Sequence, residues 1–107
     1  MGLIAVEVSV EDLPVTPTVM WNGTPLFDVD DGVRLLDYCR QNNFAVLGIE
    51  GFKVKGNKRI PDMNCIVDFS ASLTEVDFAA KSAEASRLII ESMIGSGILI
   101  EFVLVRV

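Results

Sequence analysis

The sequence contains no histidine among its 107 residues. Histidine is the general base of Ser-His-Asp and Cys-His nucleophile systems and supplies the ligands of imidazole-based zinc sites. Its absence excludes these classes of catalysis, and an enzyme would have to work with carboxylates, lysines or a bound cofactor alone. We therefore expect a protein that is not an enzyme and that needs no cofactor or metal.

Cysteine and long apolar runs are also scarce. Cys39 and Cys65 lie far apart, with no Cys-x-x-Cys pair and no metal-ligand spacing. Two such thiols in different predicted elements are typical of buried, reduced side chains. No apolar run reaches the ~18 residues that a membrane span needs. The segment from Met1 to Glu7 lacks the basic region of a secretory signal. We therefore expect a cytoplasmic protein that does not contact a membrane.

Basic residues are nearly missing from the first half of the chain. Residues 1–52 hold only two, Arg34 and Arg40, against eight acidic residues, whereas residues 53–107 hold seven of each sign. The net charge of −6 thus arises in one half. Such a chain repels nucleic acid and attracts basic proteins. We expect a basic protein partner and no binding to nucleic acid.

The composition that remains is globular, because half of the residues are hydrophobic and 22% are charged. A chain of this length is expected to form one domain over residues 1–107. Alternation and turn residues then predict the elements. The chain begins with a strand over 3–10 with Ile4, Val6, Val8 and Val10 on one face, a short hairpin at Asn22-Gly23 and a helix over 28–41. Strands over 44–54 and 63–70 follow, joined by a basic loop over 55–59 that contains the hairpin-turn signal Gly56-Asn57. A helix over 74–94 and a strand over 98–107 complete the chain.

The order β(ββ)αββαβ predicts an α+β fold. We expect a four- to five-stranded antiparallel or mixed sheet with two helices on one face, ferredoxin-like or related. The last strand has almost no polar residue, which predicts a central position in the sheet. For the second helix, Thr74 and Asp77 show the spacing of a capping box.

The first helix begins with closely spaced acidic residues. Asp28 is a good N-cap, and Asp30 and Asp31 place negative charge in the first turn, where the helix dipole favours it. This spacing is typical of a cap and its dipole partners. A patch that binds a partner is the alternative.

Four strands each place one carboxylate on the face away from the helices, namely Glu7, Glu50, Asp68 and Glu101. A solvated sheet face is one interpretation. A protein contact is another, because the same face carries apolar residues, namely Val46, Phe52, Ile66, Leu99 and Val103. A third is an acid/base pair or divalent-metal site at Glu50 and Asp68.

The basic residues and glycines of the central hairpin also admit more than one interpretation. Lys53, Lys55, Lys58 and Arg59 suit either a solvated hairpin tip or a phosphate contact, and the tip is favoured. Two glycines within the first strand, Gly48 and Gly51, predict a bulge or a close approach by another backbone.

The central hairpin also carries a family resemblance. The runs Leu47–Phe52, Pro61–Met63 and Asp68–Ser70 resemble segments of small cytosolic immunity proteins of bacterial toxin–immunity pairs, over about a quarter of the chain. The resemblance implies a non-catalytic inhibitor that binds one toxin domain, often a basic nuclease, and blocks its active site. It transfers no site residues.

The net charge and the acidic, partly apolar sheet face favour the inhibitor function that the resemblance implies. We expect an immunity-type protein that binds a basic toxin domain through Glu7, Glu50, Asp68 and Glu101, with Phe52 adding apolar contact, or through Asp28, Asp30 and Asp31. The alternatives are a homodimeric structural or regulatory subunit and, less favoured, a carboxylate enzyme or metal-binding protein.

Overall fold

The computed structural model describes residues 6–106. The elements in chain order are β1 (Val6–Val8), β2 (Val19–Trp21), β3 (Thr24–Leu26), α1 (Val29–Gln41), β4 (Phe44–Lys55), β5 (Lys58–Asp68), α2 (Phe78–Glu91) and β6 (Leu99–Arg106). Short 3-10 helices span Val10–Asp12 and Ser70–Ser72. The first strand ends at Val8, before its expected end, because Val10 lies in a 3-10 helix. Its expected beginning, with Ile4, lies outside the described residues.

Within residues 6–106, the main sheet has four strands in the order β1-β6-β4-β5, and every neighbouring pair is antiparallel. Strand β6 lies between β1 and β4, as its apolar sequence predicts. Because β6 runs against both neighbours, β1 and β4 point the same way with β6 between them. Strands β2 and β3 form a separate two-stranded hairpin. The predicted α+β class is thus confirmed.

Both helices contribute to one core with the sheet residues Ile49, Phe102 and Leu104. Helix α1 approaches α2 and the sheet closely at Gly32. A Cβ there would lie 3.2 Å from Ile90 Cδ1 of α2 and 3.3 Å from the Phe102 ring of β6. A residue without a side chain therefore lets α1 pack closely against both α2 and the sheet.

The hairpin turn that Gly56-Asn57 predicts is present, but the expected loop over 55–59 is too long. Lys55 pairs with Lys58, so that only Gly56 and Asn57 form the turn, and the next strand begins at Lys58. Gly56 has φ +60°, which is the conformation that a two-residue hairpin turn requires and that glycine adopts without strain. Arg59 is consequently a strand residue, paired with Val54.

The expected start of the second helix is also wrong, because α2 begins at Phe78 and not near Thr74. Asp77 has a left-handed backbone with φ +60°, and its side chain makes no capping hydrogen bond. Phe78 is buried against Ala45 and Val105. Burial of this ring against the sheet outweighs the local capping signal.

Strand β4 contains the irregularity that its glycines predict. Val46 pairs with Leu104 but Gly48 pairs with Val103, so Leu47 is an extra residue in β4. The bulge turns Val46 to the core face, where it is fully buried. The expected outward position of Val46 is therefore wrong, because strand alternation resets at a bulge.

Candidate functional site: the acidic sheet face

The four predicted carboxylates share one sheet face, opposite the face that carries Phe102 and Leu104 in the core. Near Glu7 this face is not clear of the helices, because Phe78 of α2 packs on Val105. The register pairs Glu50 with Glu101 directly, while Glu7 pairs with Val105 and Asp68 pairs with Gly48. Paired antiparallel residues point to the same face. Glu7, Glu50, Asp68 and Glu101 are therefore called the acidic face here.

Arg59 lies between the two central carboxylates. Its Nη2 is 2.9 Å from Glu101 Oε1 and 3.7 Å from Glu50 Oε1. Two glutamates directly opposite each other repel, and the guanidinium offsets this repulsion. The Arg59 side chain is 25% exposed, against 45% for Glu50 and 33% for Glu101. The acidic pair is therefore partly neutralised from within the chain but stays open to solvent.

Aromatic rings hold Arg59 in this place. Its guanidinium carbon lies 3.8 Å from the centroid of the Phe52 ring and 5.6 Å from that of Trp21. The Trp21 and Phe52 rings are 6.5 Å apart and tilted by 53°. A cation over aromatic faces gains electrostatic attraction that grows as the site is desolvated.

Phe52 is fully buried beneath these two side chains. The sequence predicts it on the outer face among partner-binding residues, and its pairing with Leu99 does place it there. Trp21 and Arg59 cover it, however, so in this conformation Phe52 offers no surface to a partner.

Asp68 stands apart from the central pair. It is exposed, and hydrogen bonds from the Ser70 hydroxyl and from the Ser70 backbone N–H lower the pKa of its carboxyl. The N–H donates to Asp68 Oδ1 over 2.8 Å. Glu50 pairs with Ile66, which lies on the same strand as Asp68, and on its other side it pairs with Glu101 of β6. The structure thus brings Glu50 to Glu101 and Arg59, not to Asp68. Among residues 6–106, no three His, Cys, Asp or Glu side chains converge in metal-binding geometry.

The acidic helix start has mainly local contacts. Asp28 Oδ1 accepts a hydrogen bond from Asp31 N over 2.8 Å and so caps α1. Thr18 Oγ1 donates to Asp31 Oδ2 over 2.6 Å and accepts from Asp28 N over 2.8 Å. Asp31 also pairs with Arg34. Asp30 is exposed, and it is the one of the three acids without a described side-chain contact.

Open space beside the helix start does not reach the acidic face. A cavity of about 680 Å³ lies between residues 14–18 and α1. Its charged side chains pair with each other or with α2, Arg34 with Asp31 and Asp37 with Arg87. This pairing leaves it without a charge that would select a ligand.

Both cysteines are free and buried, which confirms the sequence-based expectation. Burial raises the pKa of the Cys39 thiol to about 12. Burial, together with the nearby Asp62 carboxylate, raises the pKa of the Cys65 thiol to about 11. Since the thiolate is the reactive form, neither group is suited to nucleophilic chemistry near neutral pH.

Sequence reasoning missed Arg59 and Trp21 as members of this site. The basic composition of residues 55–59 predicts a hairpin tip for Arg59, whereas the observed turn of only Gly56-Asn57 places it on the same face as Glu50. Nothing local in the sequence indicates that Trp21 meets Phe52, because this contact joins the separate hairpin to the main sheet.

Comparison of the chain with protein-family models, curated proteins and solved structures gave no match. Among the described residues, no helix is both long enough and apolar enough to cross a membrane. The acidic face is the feature from which a function can be inferred.

Proposed function

We propose that this chain is a non-catalytic, immunity-type protein of the cytoplasm that binds and neutralises a basic toxin domain through its acidic face. The observation that carries this proposal is the directly opposed pair of Glu50 and Glu101 on the two central strands. Glu7 and Asp68 extend negative charge to both outer strands. The ferredoxin-like relationship of the fold stays a prediction beside this proposal.

Electrostatics supports a basic partner. A net charge of −6 steers basic proteins toward the chain and raises their association rate. Glu50 and Glu101 keep part of their surface in solvent beside Arg59, so a lysine or arginine of a partner can approach them. A fully buried pair of this kind costs about 2–5 kcal/mol of binding free energy when one member is truncated.

The first test is co-expression with the product of the adjacent upstream reading frame. We expect a stable complex that survives purification and that blocks the activity of a basic toxin domain. If no toxin is encoded nearby and the chain purifies alone as a symmetric dimer, the inhibitor proposal is to be abandoned in favour of a homodimeric subunit.

The second test locates the interface by charge reversal. The double variant Glu7→Lys/Glu50→Lys changes the acidic face and spares Asp68, whose carboxylate holds the Ser70 amide. We expect a slower association rate with a weaker dependence on salt. The matched control Glu75→Lys/Glu84→Lys makes the same change of charge at exposed residues away from the acidic face, and it should bind more like the native chain.

The helix start is the competing interface within the same proposal. Asp30→Lys reverses the charge at its exposed acid and leaves the Asp28 cap in place. Unchanged binding by the acidic-face double variant, together with a loss in Asp30→Lys, would transfer the interface to the start of α1.

A further inference from the structure

The β2–β3 hairpin is tied to the rest of the molecule at one end. Thr18, just before β2, bonds to Asp28 and Asp31. Phe27, just after β3, exchanges two backbone hydrogen bonds with Ile100 over 3.0 and 2.7 Å. Both ends of the hairpin are therefore anchored at neighbouring points beside the start of α1.

Beyond these anchors the hairpin depends on side-chain packing. In the described part of the chain, the backbone hydrogen bonds of residues 19–26 stay within the hairpin. Its strands are only three residues long, and an isolated two-stranded hairpin is marginally stable at best. Leu26 is buried next to the Phe27 anchor. Toward the Asn22-Gly23 turn, the described ring and cation contacts with the main sheet are those of Trp21 with Phe52 and Arg59.

We infer that the β2–β3 hairpin is a hinged cover over Phe52, latched by Arg59 between the Trp21 and Phe52 rings. Opening moves Trp21 away while the anchors at Thr18 and Phe27 hold. The exposed surface combines the Phe52 ring with the Glu50 and Glu101 carboxylates. The role of this surface in partner binding rests on the proposed function. The hinge itself is independent of that function.

Arg59 links the latch to the carboxylates of Glu50 and Glu101. In the closed state Arg59 occupies the carboxylate pair that a basic partner would use, at 2.9 Å from Glu101 and 3.7 Å from Glu50. A partner cation that competes for these carboxylates weakens the hold of Arg59 on Trp21. Ligand binding and hairpin opening are then coupled through one side chain.

Hydrogen exchange on the native chain alone tests the hinge. We expect the bonded amides of residues 19–26 to exchange at least about tenfold faster than those of β4 and β6, and to do so with little dependence on low concentrations of urea. A local opening exposes little surface, whereas global unfolding exposes much. If the hairpin amides match those of β4 and β6 in both rate and urea dependence, the hinge is excluded.

A pair of arginine variants tests the latch. Arg59→Gln should raise hairpin exchange, and acrylamide quenching of Trp21, by about three- to tenfold. Trp21 is the single tryptophan, so the quenching signal reports on the hairpin alone. The matched control is Arg87→Gln, which also removes an arginine with two carboxylate contacts, to Asp37 and Glu91. The control should leave the hairpin unchanged.

The outcomes separate the latch from the proposed function. Equal hairpin exchange in Arg59→Gln and Arg87→Gln would overturn the latch. If Arg59→Gln does not fold, the urea dependence measured on the native chain still decides the hinge. No partner is present in any of these measurements, so their failure leaves the toxin-binding proposal standing, and failure to find a toxin leaves the hinge standing.

Discussion

At the scale of single residues, Gly51 marks a close approach between β4 and β5. A Cβ on Gly51 would lie 2.7 Å from both Cβ and Sγ of Cys65, and 3.3 Å from Ile98 Cδ1. Both Gly51 and Cys65 are buried. Only a residue without a side chain lets β4 pass this part of β5, where the register between the two strands shifts.

We predict that Gly51→Ala lowers the free energy of unfolding by about 1–3 kcal/mol, since the new methyl group meets a packed neighbour. Urea denaturation measures the change. The double variant Gly51→Ala/Cys65→Ala removes the sulfur but keeps the Cβ-to-Cβ contact, so it should recover only part of the loss. If Gly51→Ala has the same free energy of unfolding as the native chain, β4 and β5 can move apart here without loss of stability.

Cys39 gives a prediction about alkaline pH. Burial raises the pKa of its thiol from the ordinary 9.0 to about 12. Because the unfolded chain ionises first, the stabilisation is complete below about pH 9 and is lost as the pH rises toward 12. Stability of the native chain should therefore fall over this range more steeply than that of Cys39→Ala. Parallel curves from urea titrations at each pH would contradict this.

At the scale of elements, the N-cap of α1 contributes to the free energy of unfolding. Asp28→Ala removes the acceptor for Asp31 N and should lower the free energy of unfolding by about 0.5–2 kcal/mol. Asp28→Asn keeps an acceptor and should retain most of the stability. Asp30→Ala is the matched control in the same turn. Equal losses in Asp28→Ala and Asp30→Ala would assign the effect to helix charge instead of the cap.

Helix α2 completes the hydrogen bonding of β4 beyond the end of β5. Strand β5 ends at Asp68, opposite Gly48, and just beyond it Phe69 N donates to Leu47 O over 2.8 Å. There Val46 N donates to Ser82 Oγ over 3.0 Å, and Ser82 is buried. A helix hydroxyl thus replaces a strand carbonyl, which ties α2 to the bulged part of the sheet.

At the scale of the whole molecule, β5 is an edge strand, since no other strand within residues 6–106 pairs with its outer side. In a two-residue hairpin Lys55 and Lys58 form a hydrogen-bonded pair, and such pairs alternate along the ladder. Pro61, opposite Phe52, therefore falls at a non-hydrogen-bonded position, where an N–H would point away from β4. The proline removes an outward donor at no cost to the sheet and hinders pairing between edges.

We predict that Pro61→Thr increases self-association, because it restores an outward N–H on an exposed edge. Sedimentation should show a weight-average mass that rises more with concentration than that of the native chain. Ile60→Thr is the control, since its N–H already points toward β4. Identical masses for the two variants and the native chain would show that Pro61 does not protect the edge.

The sequence by itself determined the features that follow from local rules. Strand alternation placed Glu7, Glu50, Asp68 and Glu101 on one face, and the register agrees. The bounds of α1 followed from the Asp28 cap and the asparagines after it, of which Asn43 has φ +58°. The Asn22-Gly23 turn followed from its dipeptide, and both residues have positive φ. Each rule depends on contacts within a few residues.

Only the tertiary structure decided how the acidic face is used within the chain. Arg59 joined the face because the turn before it has two residues, and Val46 left it because of the bulge at Leu47. Phe52 was covered because Trp21, on a separate hairpin, packs against it. Helix α2 begins at Phe78, and not near Thr74, because the Phe78 ring is buried on Ala45 and Val105. Packing between residues far apart in sequence determines the strand register and which side chains are covered. Local sequence patterns do not encode this packing.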